Sequence, residues 1–160
     1  MSPILEKALT NIKTWLMEEN LKVTETEDDE NAFHLEVIPK SNDRDLPIDI
    51  IGFKDTDEKI LICWIWGIFE EDRKAIRMID SIVKDGFISD VRISIPTIKI
   101  HGSVEDIQAI YYDKEISMDE LSKENLLKVY HDLKQAHKFT SRKFVQYFRL
   151  PDEFDPSSHV

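Results

Sequence analysis

The sequence predicts an α+β fold, in which a twisted antiparallel sheet is flanked by an N-terminal, a middle and a C-terminal helix. Apolar residues recur every three or four positions at both ends of the chain and once near its middle, which is typical of amphipathic helices. Between these segments, short polar connections join stretches with strand character, and such connections favour antiparallel neighbours. A chain of 160 residues with 41% hydrophobic and 33% charged residues suits one globular unit. We therefore expect a single domain over residues 1–150 and a flexible acidic tail over residues 151–160.

The first predicted element is a helix from Pro3 to Glu19. Ser2 is suited to cap its first turn, and Pro3 fits the first helical position. Asn20 can take the left-handed conformation that ends a helix. One stripe of this helix is apolar and consists of Leu5, Ala8, Leu9, Ile12, Trp15 and Leu16. The stripe requires a sheet or another helix to cover it.

The elements that follow are a meander of four strands, a middle helix, two further strands and a last helix. The meander is predicted at Leu21–Thr26, Phe33–Ile38, Ile48–Phe53 and Lys59–Trp66. The middle helix is predicted over Glu70–Lys84, with its C-terminal cap at Gly86. The last three elements are predicted as strands over Val91–Ile100 and Ile107–Ile116 and a helix from Ser122 to Tyr147.

The segment Lys59–Gly67, KILICWIWG, is the most apolar run of the chain. Its alternate residues place Trp64 and Trp66 on one face and Cys63 on the other, so both faces are apolar. A strand of this kind is covered on both sides, either by the chain's own helices or by another subunit. For the second alternative, the residues expected to bind a partner are Trp64, Trp66, Tyr111 and Tyr112.

Motifs for catalysis and cofactor binding are absent from the sequence, so we expect no metal, cofactor or catalytic set. Cys63 lies in the middle of a strand, where burial would raise the pKa of the thiol and make it inert. His131 and His137 are six residues apart on a helix and point in different directions, so they cannot share a metal ion. Asp49 alternates with isoleucines and is expected on the solvated sheet face, and the alternative is a buried acid with a raised pKa.

The net charge of −11 argues against nucleic-acid binding, because that binding depends on cations that neutralise phosphates. A local basic face near the end of the last helix is the alternative to cations that only complement the helix dipole. Its candidates are Arg142, Lys143 and Arg149, with Lys134 and Lys138 upstream. The single cysteine favours a reducing, cytoplasmic setting, and neither a signal peptide nor a membrane-spanning segment is predicted.

The length, the order of elements and the composition rich in isoleucine, lysine and acids resemble those of a family of small archaeal proteins of unknown function. The architecture of that family is similar to the type III secretion chaperone-like fold, a twisted antiparallel sheet flanked by helices. The resemblance covers nearly the whole chain and implies a dimerising domain that handles extended peptides or partner proteins.

The function expected from these observations is a protein-binding or chaperone-like module that recognises a protein or peptide partner and forms a homodimer, without binding membranes or nucleic acid. The alternative is a small enzyme for a cationic or metal-bound substrate, with acids and His101 lining a cleft. A pocket where a histidine and a carboxylate converge would favour the enzyme, and a broad apolar groove would favour the binding module.

Overall fold

The computed structural model describes residues 1–42 and 45–148, and the predicted tail over residues 151–160 lies outside this part of the chain. The helices are α1 (Pro3–Glu18), α2 (Glu70–Arg77), α3 (Ser81–Ser94) and α4 (Lys123–Phe148). The strands are β1 (Leu21–Glu25), β2 (Phe33–Pro39), β3 (Ile48–Gly52), β4 (Lys59–Gly67), β5 (Lys99–Gly102) and β6 (Ile107–Ser117). The prediction of an α+β fold with N-terminal, middle and C-terminal helices is confirmed.

The six strands form one open sheet in the order β1-β2-β3-β4-β6-β5, and all neighbouring strands are antiparallel. The first four strands follow one another as the predicted meander. β4 is paired along its whole length with β6, and in this pairing Trp64 lies opposite Tyr112. Cys63 lies between Asp49 on β3 and Asp113 on β6. The long strand β4 is therefore central in the sheet, as its composition suggests.

The main core lies between the sheet and the helices α1 and α4. Trp64 and Trp66 extend from β4 into this core, where they are almost fully buried. The ring of Trp64 meets the ring of His137 on α4 at a centroid distance of 5.4 Å, and Trp66 meets Phe144 at 4.8 Å. Edge-to-face ring pairs of this kind add to the stabilisation that burial provides.

The boundaries of α1 agree with the sequence signals. The Ser2 Oγ accepts a hydrogen bond from the Leu5 backbone N at 3.2 Å, which satisfies one of the free donors at the helix start. Asn20 has a φ of 60°, the left-handed conformation expected after the helix end. Local capping chemistry thus fixes both ends of this helix.

The middle of the chain differs from the prediction. The expected helix over Glu70–Lys84 is two helices, because the Asp80 carboxylate accepts a hydrogen bond from the Ile82 backbone N at 2.9 Å and starts α3. Gly86 was expected to end a helix, but it lies inside α3. A Cβ atom at Gly86 would be 3.2 Å from the Tyr147 ring, so the glycine allows α3 and α4 to approach closely.

The predicted strand over Val91–Ile100 is wrong in its first half, where the chain completes α3. Phe87, Ile88, Val91 and Ile95 recur with helical spacing and are all buried. Packing against α4 therefore outweighs the strand preference of the β-branched residues. Only Lys99–Gly102 forms a strand, and it lies at the sheet edge.

Candidate functional site

The four residues predicted to bind a partner do not share one surface. Trp64 is fully buried and Trp66 is 2% exposed, and α4 of the same chain covers both. This corrects the expectation that the tryptophans face a partner. Tyr111 and Tyr112 are half-buried on opposite faces of β6, with Tyr112 beside Trp64 at a ring distance of 6.2 Å. Partner binding by the two tyrosines stays a prediction.

The opposite face of β4 is only partly covered. Ile65 is 56% exposed there, so the chain's own helices do not cover this end of the strand, and cover by another subunit stays a prediction. Cys63 lies on the same face and is buried. Burial raises the pKa of the Cys63 thiol to about 12, and the carboxylates of Asp49 and Asp113 add to this effect. The thiol is therefore a poor nucleophile.

We expect Cys63 in the native protein to react far more slowly with a thiol reagent than it does in the unfolded chain. The rise of the pKa from 9.0 to about 12 lowers the thiolate fraction near pH 8 by about a thousandfold. The measurement is the rate of reaction with a disulfide reagent in buffer and in concentrated urea. Equal rates in the two conditions would contradict the buried position of the thiol.

A histidine and two carboxylates meet on the strand face that carries Cys63. The Nε2 atom of His34 is 2.9 Å from Asp49 Oδ1, and its Nδ1 atom is 3.4 Å from Asp28 Oδ2. Burial raises the pKa of Asp49, while the hydrogen bond with His34 works in the opposite direction. Asp49 thus combines the two expected alternatives, because it lies on the outer sheet face and still has a raised pKa.

This group of residues lies outside the four cavities described for the protein. His101 is exposed on β5 and lines none of those cavities. Within residues 1–42 and 45–148, no cluster of three histidine, cysteine or carboxylate side chains has the geometry of a metal site. The enzyme alternative stays a prediction.

An apolar groove lies where the turn between α2 and α3 meets the C-terminal end of α4. The cavity has a volume of about 580 Å³ and is lined by Ile79, Val83, Gln146, Tyr147 and Phe148. Met78 and Ile82 each stand next in sequence to a lining residue, and their side chains are 88% and 77% exposed. Isolated exposed apolar residues are common, but a groove beside several of them is typical of interaction sites. We call these seven residues the apolar groove.

The break between α2 and α3 creates this surface. In one continuous helix, Ile76, Ile79, Ile82 and Val83 would share a single buried stripe. With the new helix start at Asp80, Ile76 is buried, whereas Ile82 is turned into solvent. The sequence reasoning missed the groove for this reason. The pair Asp80-Ser81 was the available signal, because aspartate and serine favour helix N-termini.

The wall of the apolar groove is held by polar contacts of α4 with α3. The Tyr147 hydroxyl donates a hydrogen bond to Asp90 Oδ2 at 3.0 Å, and the Lys143 ammonium pairs with the same oxygen at 3.1 Å. These two contacts lower the pKa of the Asp90 carboxyl, with Lys143 as the larger cause. These contacts hold Tyr147 in place against α3, and a lining residue that is fixed in this way loses less entropy on binding.

The fold and this groove define an α+β protein with an open antiparallel sheet, helices packed on it and an apolar groove at the end of the helical layer. Residues 8–144 match the family described as uncharacterized conserved protein (DUF2299). The match covers most of the chain, and the protein therefore belongs to this family. A comparison with curated proteins finds no match.

The structure is similar to the crystal structure of an uncharacterized protein from Methanothermobacter thermautotrophicus. The two have a TM-score of 0.74 and 24% sequence identity, and the similarity covers 88% of this chain and 99% of that chain. A likeness at this identity supports the fold. No helix in the described part of the chain combines the length and apolar character needed to cross a membrane.

Proposed function

We propose that the protein is a binding module that recognises a partner protein or peptide through the apolar groove. The observation that carries the proposal is the exposure of Met78 and Ile82, which are next in sequence to residues that line a groove of about 580 Å³. Burying such side chains in an interface contributes roughly 25 cal/mol for each Å² of apolar surface removed from water. The proposal includes a chaperone-like role. It also includes a location in the cytoplasm, because the single cysteine is a free thiol and free thiols are typical of reducing compartments.

The partner that fits this surface presents apolar side chains framed by lysine or arginine. The support for this choice is the net charge of −11 that the whole protein carries. Complementary charge accelerates association and disfavours acidic competitors. A second copy of the chain brings the same negative charge, so self-association through this surface is opposed at low ionic strength. The homodimer stays a prediction that sedimentation at several salt concentrations tests.

Replacing Ile82 by glutamate is expected to weaken partner binding by tenfold or more, on the order of 1.4 kcal/mol, because a charge enters the apolar contact. The stability of the free protein should change by less than about 0.5 kcal/mol, since Ile82 is exposed. A photoreactive amino acid at position 82 first identifies the partner segment by cross-linking and mass spectrometry. The affinity of the purified partner for the wild type and the variant is then measured by calorimetry.

The matched control is Ile93→Glu. Ile93 is 80% exposed near the other end of α3, so this variant adds the same charge to the same helix outside the apolar groove. It should bind the partner within about twofold of the wild type. Equal loss of affinity in both variants, or cross-links from position 93 and none from position 82, would rule out binding through the apolar groove.

A further inference from the structure

A second groove lies on the other side of the helical layer, between α4, the end of α3 and β6. Its volume is about 440 Å³. The residues that line it are Ser94, Ile95, Tyr112, Lys114, Asp132, Gln135, Ala136, Lys138, Phe139 and Arg142. It shares no residue with the apolar groove, so its role is independent of the proposed partner binding. We call it the basic groove.

Two cations of the basic groove stand out because they lack a carboxylate partner. Lys138 and Arg142 are exposed and make no ion pair among the residues that the structure describes. The neighbouring cations of the same helix are paired, Lys134 with Asp45 and Lys143 with Asp90. Within residues 1–42 and 45–148, two cations at one cavity are thus left without a carboxylate partner.

The spacing of these two cations places them side by side. Positions four apart on a helix are neighbours, and like charges there destabilise the helix. Lys114 on β6 adds a third positive charge to the groove, and its ammonium is 3.5 Å from Asp132. Three cations and one carboxylate therefore face the cavity, which favours an anion within it.

The remaining walls are apolar or aromatic. Tyr112 lies under the Lys114 ammonium at 6.0 Å from its ring centre, and Phe139 and Ile95 complete the apolar part of the lining. A ligand that carries only charge would leave these surfaces unused. A flat apolar body next to an anionic group would contact both kinds of wall.

We propose that the basic groove binds a small molecule in which a phosphate or carboxylate group is joined to a flat apolar body. The Arg142 guanidinium can bind such a group through two parallel hydrogen bonds, and Lys138 supplies a second positive charge. The body of the ligand lies against Tyr112 and Phe139. The cations of α4 nearest to Lys138 and Arg142, which are Lys134 and Lys143, are already paired, and this argues against a continuous track for nucleic-acid phosphates. Arg149, the other cation predicted for this face, lies outside the described residues.

The test uses phenyl phosphate, inorganic phosphate and phenol as probes for the full-length protein. Calorimetry gives the affinities at low and moderate salt, and backbone amide NMR shifts locate the bound probe. Phenyl phosphate is expected to bind saturably, to bind more tightly than the other two probes, and to shift the amides of Tyr112, Gln135 and Phe139. Its affinity should fall as the salt concentration rises.

Lys138→Gln and Arg142→Gln should each weaken phenyl phosphate binding by about tenfold, because each removes a charge-assisted contact. Neither variant should lower the unfolding midpoint, since each relieves a like-charge pair. Lys128→Gln is the matched control on an exposed position of the same helix outside the groove, and it should bind as the wild type does.

Three results would overturn the proposal. One is the absence of saturable phenyl phosphate binding to the wild type. The second is equal weakening by Lys128→Gln, which would show that the loss of affinity does not depend on the position of the cation in the groove. The third is tighter binding of a single-stranded oligonucleotide than of phenyl phosphate through Lys138 and Arg142, which would assign the cations to a nucleic-acid surface.

Discussion

Trp64→Ala is expected to lower the free energy of unfolding by about 3–5 kcal/mol, because it removes a fully buried aromatic side chain from the centre of the core. The indole packs against Tyr112 on the neighbouring strand and His137 on α4, so the cavity left behind has walls on both the sheet and the helix. The measurement is urea unfolding of the wild type and the variant, followed by circular dichroism.

Ile65→Ala is the matched control for this prediction. Ile65 is the next residue of the same strand, but it points to the other face and is 56% exposed. Its replacement should cost less than about 1 kcal/mol, since little buried surface is lost. A cost for Ile65→Ala as large as that for Trp64→Ala would show that another chain covers the outer face in solution.

The difference between buried and exposed positions determines which substitutions are useful in binding experiments on this protein. A loss of partner binding in Trp64→Ala or Trp66→Ala would report a damaged core, because neither side chain reaches the surface. Ile82 and Arg142 are better positions for substitution. Both are exposed, so a change in binding there reports the surface itself.

The parts of the fold that the sequence predicted well are those determined by neighbouring residues. The limits of α1 follow from Ser2 and Asn20, and the meander follows from alternating patterns with polar turns. The parts it missed depend on contacts between distant residues. Val91 is in a helix because α3 packs on α4. The residues near Val91 carry no signal that α4 packs against them in the folded protein.

The candidate sites were predicted less well than the fold for a related reason. The tryptophans of β4 suggested a surface because the strand has two apolar faces, and the burial of one face by α4 depends on the tertiary arrangement. The apolar groove depends on the helix break at Asp80. The basic groove joins Lys114 to Arg142, and residues so far apart along the chain meet only in the folded protein.

His137 should make the protein less stable as the pH falls from about 6.5 to about 4. The imidazole lies in the core, and its ring is 5.8 Å from that of Trp66. Burial lowers the pKa of His137 from 6.5 to about 4, and the Lys134 ammonium acts in the same direction while Asp45 opposes it. The folded protein therefore keeps this histidine neutral in a range where the unfolded chain binds a proton.

The size and sign of the effect follow from proton linkage. The unfolded chain takes up the proton below pH 6.5, and the folded protein does so only near pH 4, so lowering the pH favours the unfolded state. A difference of 2.5 pKa units, from 6.5 to about 4, corresponds to about 3 kcal/mol. The full contribution of the neutral histidine is present above pH 6.5 and is lost as the pH falls to about 4.

The experiment is urea unfolding of the wild type and of His137→Phe at several pH values between about 7.5 and 4. This range spans the pKa of the histidine in the unfolded chain, 6.5, and in the folded protein, about 4. The variant loses the hydrogen bond between His137 and Ser141, which shifts its stability at every pH, so the informative quantity is the slope. The difference in slope between the two proteins isolates His137 from the titrating carboxylates. Equal slopes for the wild type and His137→Phe would mean that the pKa of His137 is the same in the folded and unfolded protein, and this would contradict the lowered pKa of the buried imidazole.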